Sequence, residues 1–173
     1  FGSSPSLLQD WKIQVCTLFS SRHRSAMAFT KLLGAKLMSK DGEMPTEEAL
    51  SGKTAVGIYF SAHWCPPCRG FTPKLAQMYN DTFKSKGMEI VFVSSDRDEA
   101  AFSEYFGEMP WLALPFSERQ LKGELSKKYK VKGIPSFVIL GPDGNTITME
   151  GRDAVMKDPE GTKYPWVPPT AEE

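Results

Sequence analysis

Cys65 and Cys68 stand three positions apart with only Pro66 and Pro67 between them, in the string HWCPPCR. That separation puts both sulfurs on one side of a helical turn, close enough to bond to each other. The string follows AVGIYFSA, an apolar run, β-branched or aromatic in its middle, that reads as a strand buried on both faces. A strand feeding a loop and then a helix delivers Cys65 to a helix N-terminus, at the sheet edge where α/β proteins usually bind ligands. Unpaired N–H groups and the positive end of the helix dipole favour negative charge there, so such a sulfur ionises at about pH 7 or lower instead of roughly 8.5. The thiolate is the nucleophile of thiol–disulfide exchange: Cys65 attacks a partner disulfide, and Cys68 resolves the mixed disulfide that results. Pro66 and Pro67 fit the first helical turn, where a backbone N–H has no intrahelical acceptor. They stiffen the loop and leave the amide and thiol of Cys68 as the donors expected to matter most to Cys65.

Two other chemistries are open to a Cys-x-x-Cys pair. A structural zinc site wants four ligands, and the remaining candidates are Cys16, His23 and His63; a structural disulfide closing so short a loop gains little chain entropy. Redox chemistry is preferred to both. Beside the pair, Trp64 is a rim aromatic with substrate contact and simple packing equally open to it. His63 is near enough to tune the sulfur, although an exposed surface histidine is the commoner case. Asp96 and Arg97 follow the carboxyl end of a strand and either rim the site or are solvated loop charges. Trp111 is assigned to packing.

The elements that must position these residues are legible from the pattern. MEIVFVS (88–94) reads as a second buried strand, and residues 67–86 carry apolar side chains at helical spacing, with Pro73 expected to kink that helix. Helical periodicity returns over 99–106 and 118–130, separated by EMPWLALPF, read as an irregular apolar connection. Asp41-Gly42 marks a turn between two short extended pieces, and EEALSGK reads as one helical turn. PSFVIL and NTITME flank GPDG, the signature of an antiparallel hairpin, before a last short helix in RDAVMKDPEG and a Pro-rich tail. Strand, helix, strand, helix, hairpin and helix predict an α/β fold, a mixed sheet with helices on both faces.

The 21 basic and 21 acidic side chains cancel, and no basic stripe interleaved with aromatics stands out, so nucleic acid is not expected as a ligand. No apolar run approaches the roughly 20 residues of a membrane-spanning helix, so no membrane partner is expected. Three cysteines are too few for a disulfide framework and leave one unpaired, which points to a reducing, cytosolic setting, with the nucleus also open. Residues 1–26 look unlike the rest, and three readings compete for them: a transit peptide, which alone would imply mitochondria; a secretory signal with too short an apolar core; or non-native sequence ahead of Met27. The last is favoured, with 1–26 a poorly structured extension and 27–173 one domain.

HWCPPCR after a strand, with Ile134-Pro135 before a later one, resembles the thioredoxin superfamily. WCPPCRGFTP, FVSSDRDEAAFSEYFGEMPWLALPF and GIPSFVIL together are similar to its tryparedoxin and nucleoredoxin branch, from about Leu33 to Pro168 and including YPWVP. The resemblance implies a thioredoxin-like fold, Cys65 as attacking and Cys68 as resolving thiol, Trp64 shielding the site, and Pro135 in cis. Ile134 would then face Cys65 and pair with an extended substrate segment, with Pro66 and Pro67 part of the same substrate-binding surface. The implied activity is reduction of protein disulfides by a monomer without a cofactor, recharged by a thiol or dithiol donor. A redox-sensitive adaptor that binds signalling proteins through the same surface is the alternative. Two departures limit the carry-over. Tyr59 stands where thioredoxins bury an acid that helps move the resolving thiol's proton, as is usual in this branch, and Ser95 and Arg97 stand where tryparedoxins have Trp and an acid. Trypanothione specificity is therefore not expected.

Overall fold

A computed structural model describes residues 27–167; the expectations for 1–26, including Cys16 and His23, lie outside the described residues. The chain builds one mixed seven-stranded sheet in the order β2-β1-β5-β4-β3-β6-β7. An opening helix, α1 (27–33), leads into the hairpin β1 (Lys36–Ser39) and β2 (Gly42–Pro45), and α2 (Thr46–Leu50) follows. Gly42 supplies the turn with a φ of 120°, which L side chains rarely adopt. The next strand, β3 (Ala55–Ser61), and β4 (Met88–Ser94) are buried along their whole lengths, as their unbroken apolar composition requires.

Between them α3 (Pro66–Met78) makes the crossover that a parallel pair needs. Pro73 lies inside α3 without ending it, and the change of helical geometry comes later, as a π-helical turn at Tyr79–Phe83. After β4 come α4 (Glu99–Gly107), capped by the Asp98 carboxylate on the Ala101 N–H, and α5 (Arg119–Lys128). The stretch read as an irregular connection contains a two-residue strand, β5 (Leu112–Ala113), which pairs parallel to β4 and antiparallel to β1 and so joins the hairpin to the sheet. Two residues are too few for periodicity to reveal. The expected hairpin is present as β6 (Ser136–Leu140) and β7 (Thr146–Thr148), antiparallel, with α6 (Gly151–Lys157) after it.

Alternation along the central strands divides the core in two. Tyr59, Ile90, Phe92, Phe137 and Ile139 face Phe71, Leu75, Phe83 and Val155 on one side. Val56, Ile58, Phe60, Val91 and Val138 face Phe29, Leu33, Leu50, Leu125 and Tyr129 on the other. The centre of the first layer is aromatic, with the Tyr59 ring edge-on to Phe71, Trp111 and Phe137. Trp111 is 2% exposed, in agreement with its assignment to packing.

The residues after α6 close back on the body through one carboxylate. Asp158 accepts hydrogen bonds from the N–H and hydroxyl of Thr162, the N–H of Lys163 and the indole N–H of Trp166, at 2.7–2.9 Å. Trp166, at a φ of 60°, then packs edge-on against Phe83, and the Tyr164 hydroxyl meets Thr54 Oγ1 at 2.5 Å. Burial alone would raise the Asp158 pKa; the four hydrogen bonds outweigh it and lower the value from 3.8 to about 2.

Two expectations follow from these contacts. A Cβ on Gly57 of β3 would strike the Phe137 ring, so Gly57→Ala destabilises the fold by about 1–3 kcal/mol in urea unfolding; an unchanged midpoint would contradict the close approach. Because the Asp158 pKa is depressed in the folded state, its stabilisation is present above about pH 4 and is lost as pH falls towards 2. Asp158→Asn therefore lowers Tm at pH 7, and the gap to the parent narrows over that acid range.

Candidate redox site

Register brings three separate segments to one sheet edge. In the parallel β3/β4 pair, Ser61 lies opposite Ser94, so the two strands end together. Because β6 runs antiparallel to β3, its beginning meets the end of β3, with Phe60 opposite Ser136. The loop 62–65, the segment 95–96 and the Ile134-Pro135 turn therefore converge. The Ile134-Pro135 peptide bond is cis.

Cys65 occupies the N-cap position of α3, with Pro66 and Pro67 in the first turn and no acidic residue there to compete for the positive helix end. Cys65 and Cys68 are joined as a disulfide with a Cα–Cα separation of 5.2 Å. The two sulfurs are unequal in surroundings: Cys68 is fully buried, whereas Cys65 keeps 4% exposure and its Sγ lies 3.7 Å from the Ile134 carbonyl oxygen. Pro66 and Pro67 are exposed beside it, Ile134 is half-buried and Pro135 buried. All seven residues singled out by sequence, Trp64, Cys65, Pro66, Pro67, Cys68, Ile134 and Pro135, thus belong to one region of the surface and the layer just beneath it.

The end of β3 and the cysteine loop are tied to the segment that follows β4 by three hydrogen bonds. The Ser95 N–H donates to the Ser61 carbonyl at 2.8 Å, the His63 N–H to Asp96 Oδ1 at 2.7 Å, and the Trp64 indole N–H to the Ser95 carbonyl at 3.0 Å. Trp64 is 54% exposed, so its ring remains open to a partner while its nitrogen is held. Asp96 is a buried tether: the Ser94 hydroxyl donates to its Oδ2 at 2.7 Å, and it is only 5% exposed. Arg119 holds the same strand end by donating from Nη1 to the Ser94 carbonyl at 3.1 Å; burial lowers its pKa, against the opposing pull of Asp96. His63 stacks on Tyr105 at 5.4 Å and is half-buried, contrary to the exposed reading. Arg97 is exposed.

Where thioredoxins bury an acid, Tyr59 takes part in a closed ring of four buried hydroxyls. Tyr59 meets Thr72 at 2.7 Å, Thr72 meets Tyr105 at 2.5 Å, Tyr105 meets Ser61 at 3.1 Å, and Ser61 donates to Tyr59 at 3.0 Å. Each hydroxyl can donate one bond and accept one, so the ring satisfies all four. Burial raises the Tyr59 pKa far above the usual phenol range, although Ser61 and Thr72 hydrogen bonds pull the other way. Tyr59 therefore stays neutral and offers no base. The ring ties β3 to α4 and to Thr72, which follows Cys68 by four residues on α3 and shares its buried face. Sequence pointed to Tyr59 but missed Thr72, Tyr105, Ser61 and the tether role of Asp96. Only Thr72, at i+4 from Cys68, carried a local signal.

A mixed sheet that brings a Cys-x-x-Cys disulfide at a helix start together with a cis-proline turn defines the thioredoxin-like class. The chain belongs to the thioredoxin-like family, which matches residues 52–146. It is 47% identical over 131 residues to tryparedoxin of Trypanosoma brucei brucei, covering 75% of this chain and 90% of that protein. To mouse (Mus musculus) nucleoredoxin it is 41% identical over 142 residues, 81% of this chain and 32% of that protein. The chain thus spans about a third of the nucleoredoxin length. Among solved structures, native tryparedoxin I from Crithidia fasciculata superposes with a TM-score of 0.76 at 42% identity, covering 82% of this chain and 99% of that one.

The hydroxyl ring yields a stability test. Tyr105→Phe removes one member and leaves Thr72 and Ser61 each one bond short, so it costs about 1–2 kcal/mol in chemical unfolding; a neutral effect would mean the ring contributes nothing.

Proposed function

We propose that the chain is a thiol–disulfide oxidoreductase that reduces protein disulfides, with Cys65 attacking and Cys68 resolving. The observation that carries this reading is the inequality of the two sulfurs. Cys65 stands at the helix start beside the Ile134 carbonyl, next to the exposed Trp64, Pro66 and Pro67, while Cys68 is enclosed one turn along. An extended substrate segment paired with the backbone at Ile134 brings its own disulfide to Cys65.

The Cys65 thiolate attacks one substrate sulfur, forming a mixed disulfide and expelling the other sulfur as a thiolate. Cys68 then attacks Cys65, releases the first sulfur and closes the Cys65–Cys68 disulfide. Two electrons pass to the substrate; the Cys68 proton ends on one of its sulfurs, and the other leaves as a thiolate that takes its proton from water, since Cys65 entered the reaction already ionised. Since Tyr59 is neutral and its ring closed on itself, the expelled substrate thiolate is the base at hand for the Cys68 proton. Recharging the dithiol requires a thiol or dithiol donor, and a reducing, cytosol-like setting supplies one. Trp64 and the two exposed prolines form the surface over which successive partners dock.

Capture tests the roles. With a model protein disulfide, Cys68→Ser accumulates a covalent mixed disulfide visible on a non-reducing gel, and Cys65→Ser forms none. Equal trapping by both variants would reverse or abolish the assignment. Given excess dithiol donor, the unaltered chain reduces many equivalents of the same substrate, whereas a redox-switched adaptor stops at one.

A further inference from the structure

A net charge of zero conceals an uneven distribution. KKYKVK, between the end of α5 and the cis-proline turn, carries Lys127, Lys128, Lys130 and Lys132, all exposed. The helix explains the first two: they lie in its last turn, where ammonium groups complement the dipole, and Lys128 also lies 5.5 Å above the Tyr129 ring. Lys130 is the left-handed residue that closes α5, at a φ of 49°, with its N–H on the Lys127 carbonyl and the Val131 N–H on the Ser126 carbonyl, whereas Lys132 lies beyond the helix end. Among the described residues none of the four has a carboxylate partner.

Lys130 and Lys132 line a cavity of about 380 Å³ together with Tyr129, Gly133, Ser136 and Glu150. Tyr129 is 5% exposed, and its hydroxyl is buried with no hydrogen-bond partner among the described residues. Burial raises its pKa to about 12, so at neutral pH it is a donor in want of an acceptor. The Ser136 hydroxyl is already committed to the Gly133 carbonyl. Glu150 is the one carboxylate on the wall, against the two ammonium groups of Lys130 and Lys132.

Gly133 and Ser136 bracket the cis-proline turn, and the Ile134 carbonyl between them lies 3.7 Å from Cys65 Sγ. The cavity is therefore lined by the two residues that flank the cis-proline turn. An extended chain advances about 3.3 Å per residue, so a substrate strand paired at Ile134 carries the side chains that follow its cysteine along the flank of this turn.

We propose that this cavity receives the carboxylate of an Asp or Glu that flanks the reactive cysteine of a protein substrate, so that the chain prefers disulfides in acidic surroundings. This deepens the reductase reading and rests on it.

The test uses three disulfide-bonded peptides identical except for Glu, Gln or Lys two and three positions from one cysteine. Reduction by the unaltered chain is followed as kcat/KM at low salt and in 0.5 M NaCl (about 4 Å screening length). The Glu peptide is reduced about five-fold faster than the Gln peptide at low salt, and the Lys peptide is slowest. High salt and the double variant Lys130→Gln, Lys132→Gln each collapse the Glu-to-Gln ratio. Equal rates for the three peptides, or a ratio that survives the double variant, overturn the proposal. Equal rates combined with retention on an RNA homopolymer that the double variant abolishes assign the lysines to nucleic acid instead, and overturn it too. If no peptide is reduced and Cys68→Ser traps none, the reductase reading has failed and this proposal falls with it.

Discussion

The site depends on strand register more than on any single side chain. Because Ser61 lies opposite Ser94 and Phe60 opposite Ser136, three segments far apart in sequence end at one edge. A slip of one residue in either pairing would turn Tyr59 and Phe137 to the opposite core layer and carry the cysteine loop away from Asp96 and Ile134. Core packing fixes the register: Tyr59 is in edge contact with Phe71, Trp111 and Phe137, and Gly57 leaves the room that the Phe137 ring occupies. Aromatic packing in the sheet centre and sulfur chemistry at its rim are in this sense one problem.

Within that frame the charge environment is made of few parts. The start of α3 offers its positive end to Cys65, with no acid in the first turn to occupy it and two prolines that supply no N–H. Beneath it, a neutral ring of hydroxyls occupies the region where an ionisable acid would otherwise sit. A buried carboxylate near the resolving sulfur would oppose a second negative charge there and would take its proton. The ring does neither, so in the proposed cycle the proton of the second step passes to water or to the substrate's own thiolate.

Much of this was legible in the residues. The buried strands announce themselves as unbroken apolar runs, the hairpin by Asp143-Gly144, and the redox pair by its spacing and its place after a strand. What escaped shares a physical cause: it depends on pairing between distant segments. Asp96 reads in sequence as one more loop charge, and only the alignment of β3 with β4 reveals that it accepts the His63 N–H. The hydroxyl ring draws on β3, α3 and α4, so no window of sequence contains it. The strand β5 is two residues long and exists because β4 and β1 lie on either side of it. Whole-chain charge balance hid the KKYKVK cluster, since a sum carries no information about position.

The Asp96 tether bears on how the loop stays in place as its sulfurs change partners. Both carboxylate oxygens are engaged by neutral donors, the His63 N–H and the Ser94 hydroxyl, and its charge is offset through space by Arg119, which itself grips the Ser94 carbonyl. None of these groups is a cysteine. Opening the Cys65–Cys68 bond therefore removes no hydrogen bond from the loop, and the Trp64 link to Ser95 is likewise independent of sulfur state. A loop held by bonds that the reaction does not touch presents the same surface to an incoming disulfide and to an incoming donor. For a protein proposed to meet the two in alternation, that constancy lets one docking surface serve both halves of the cycle.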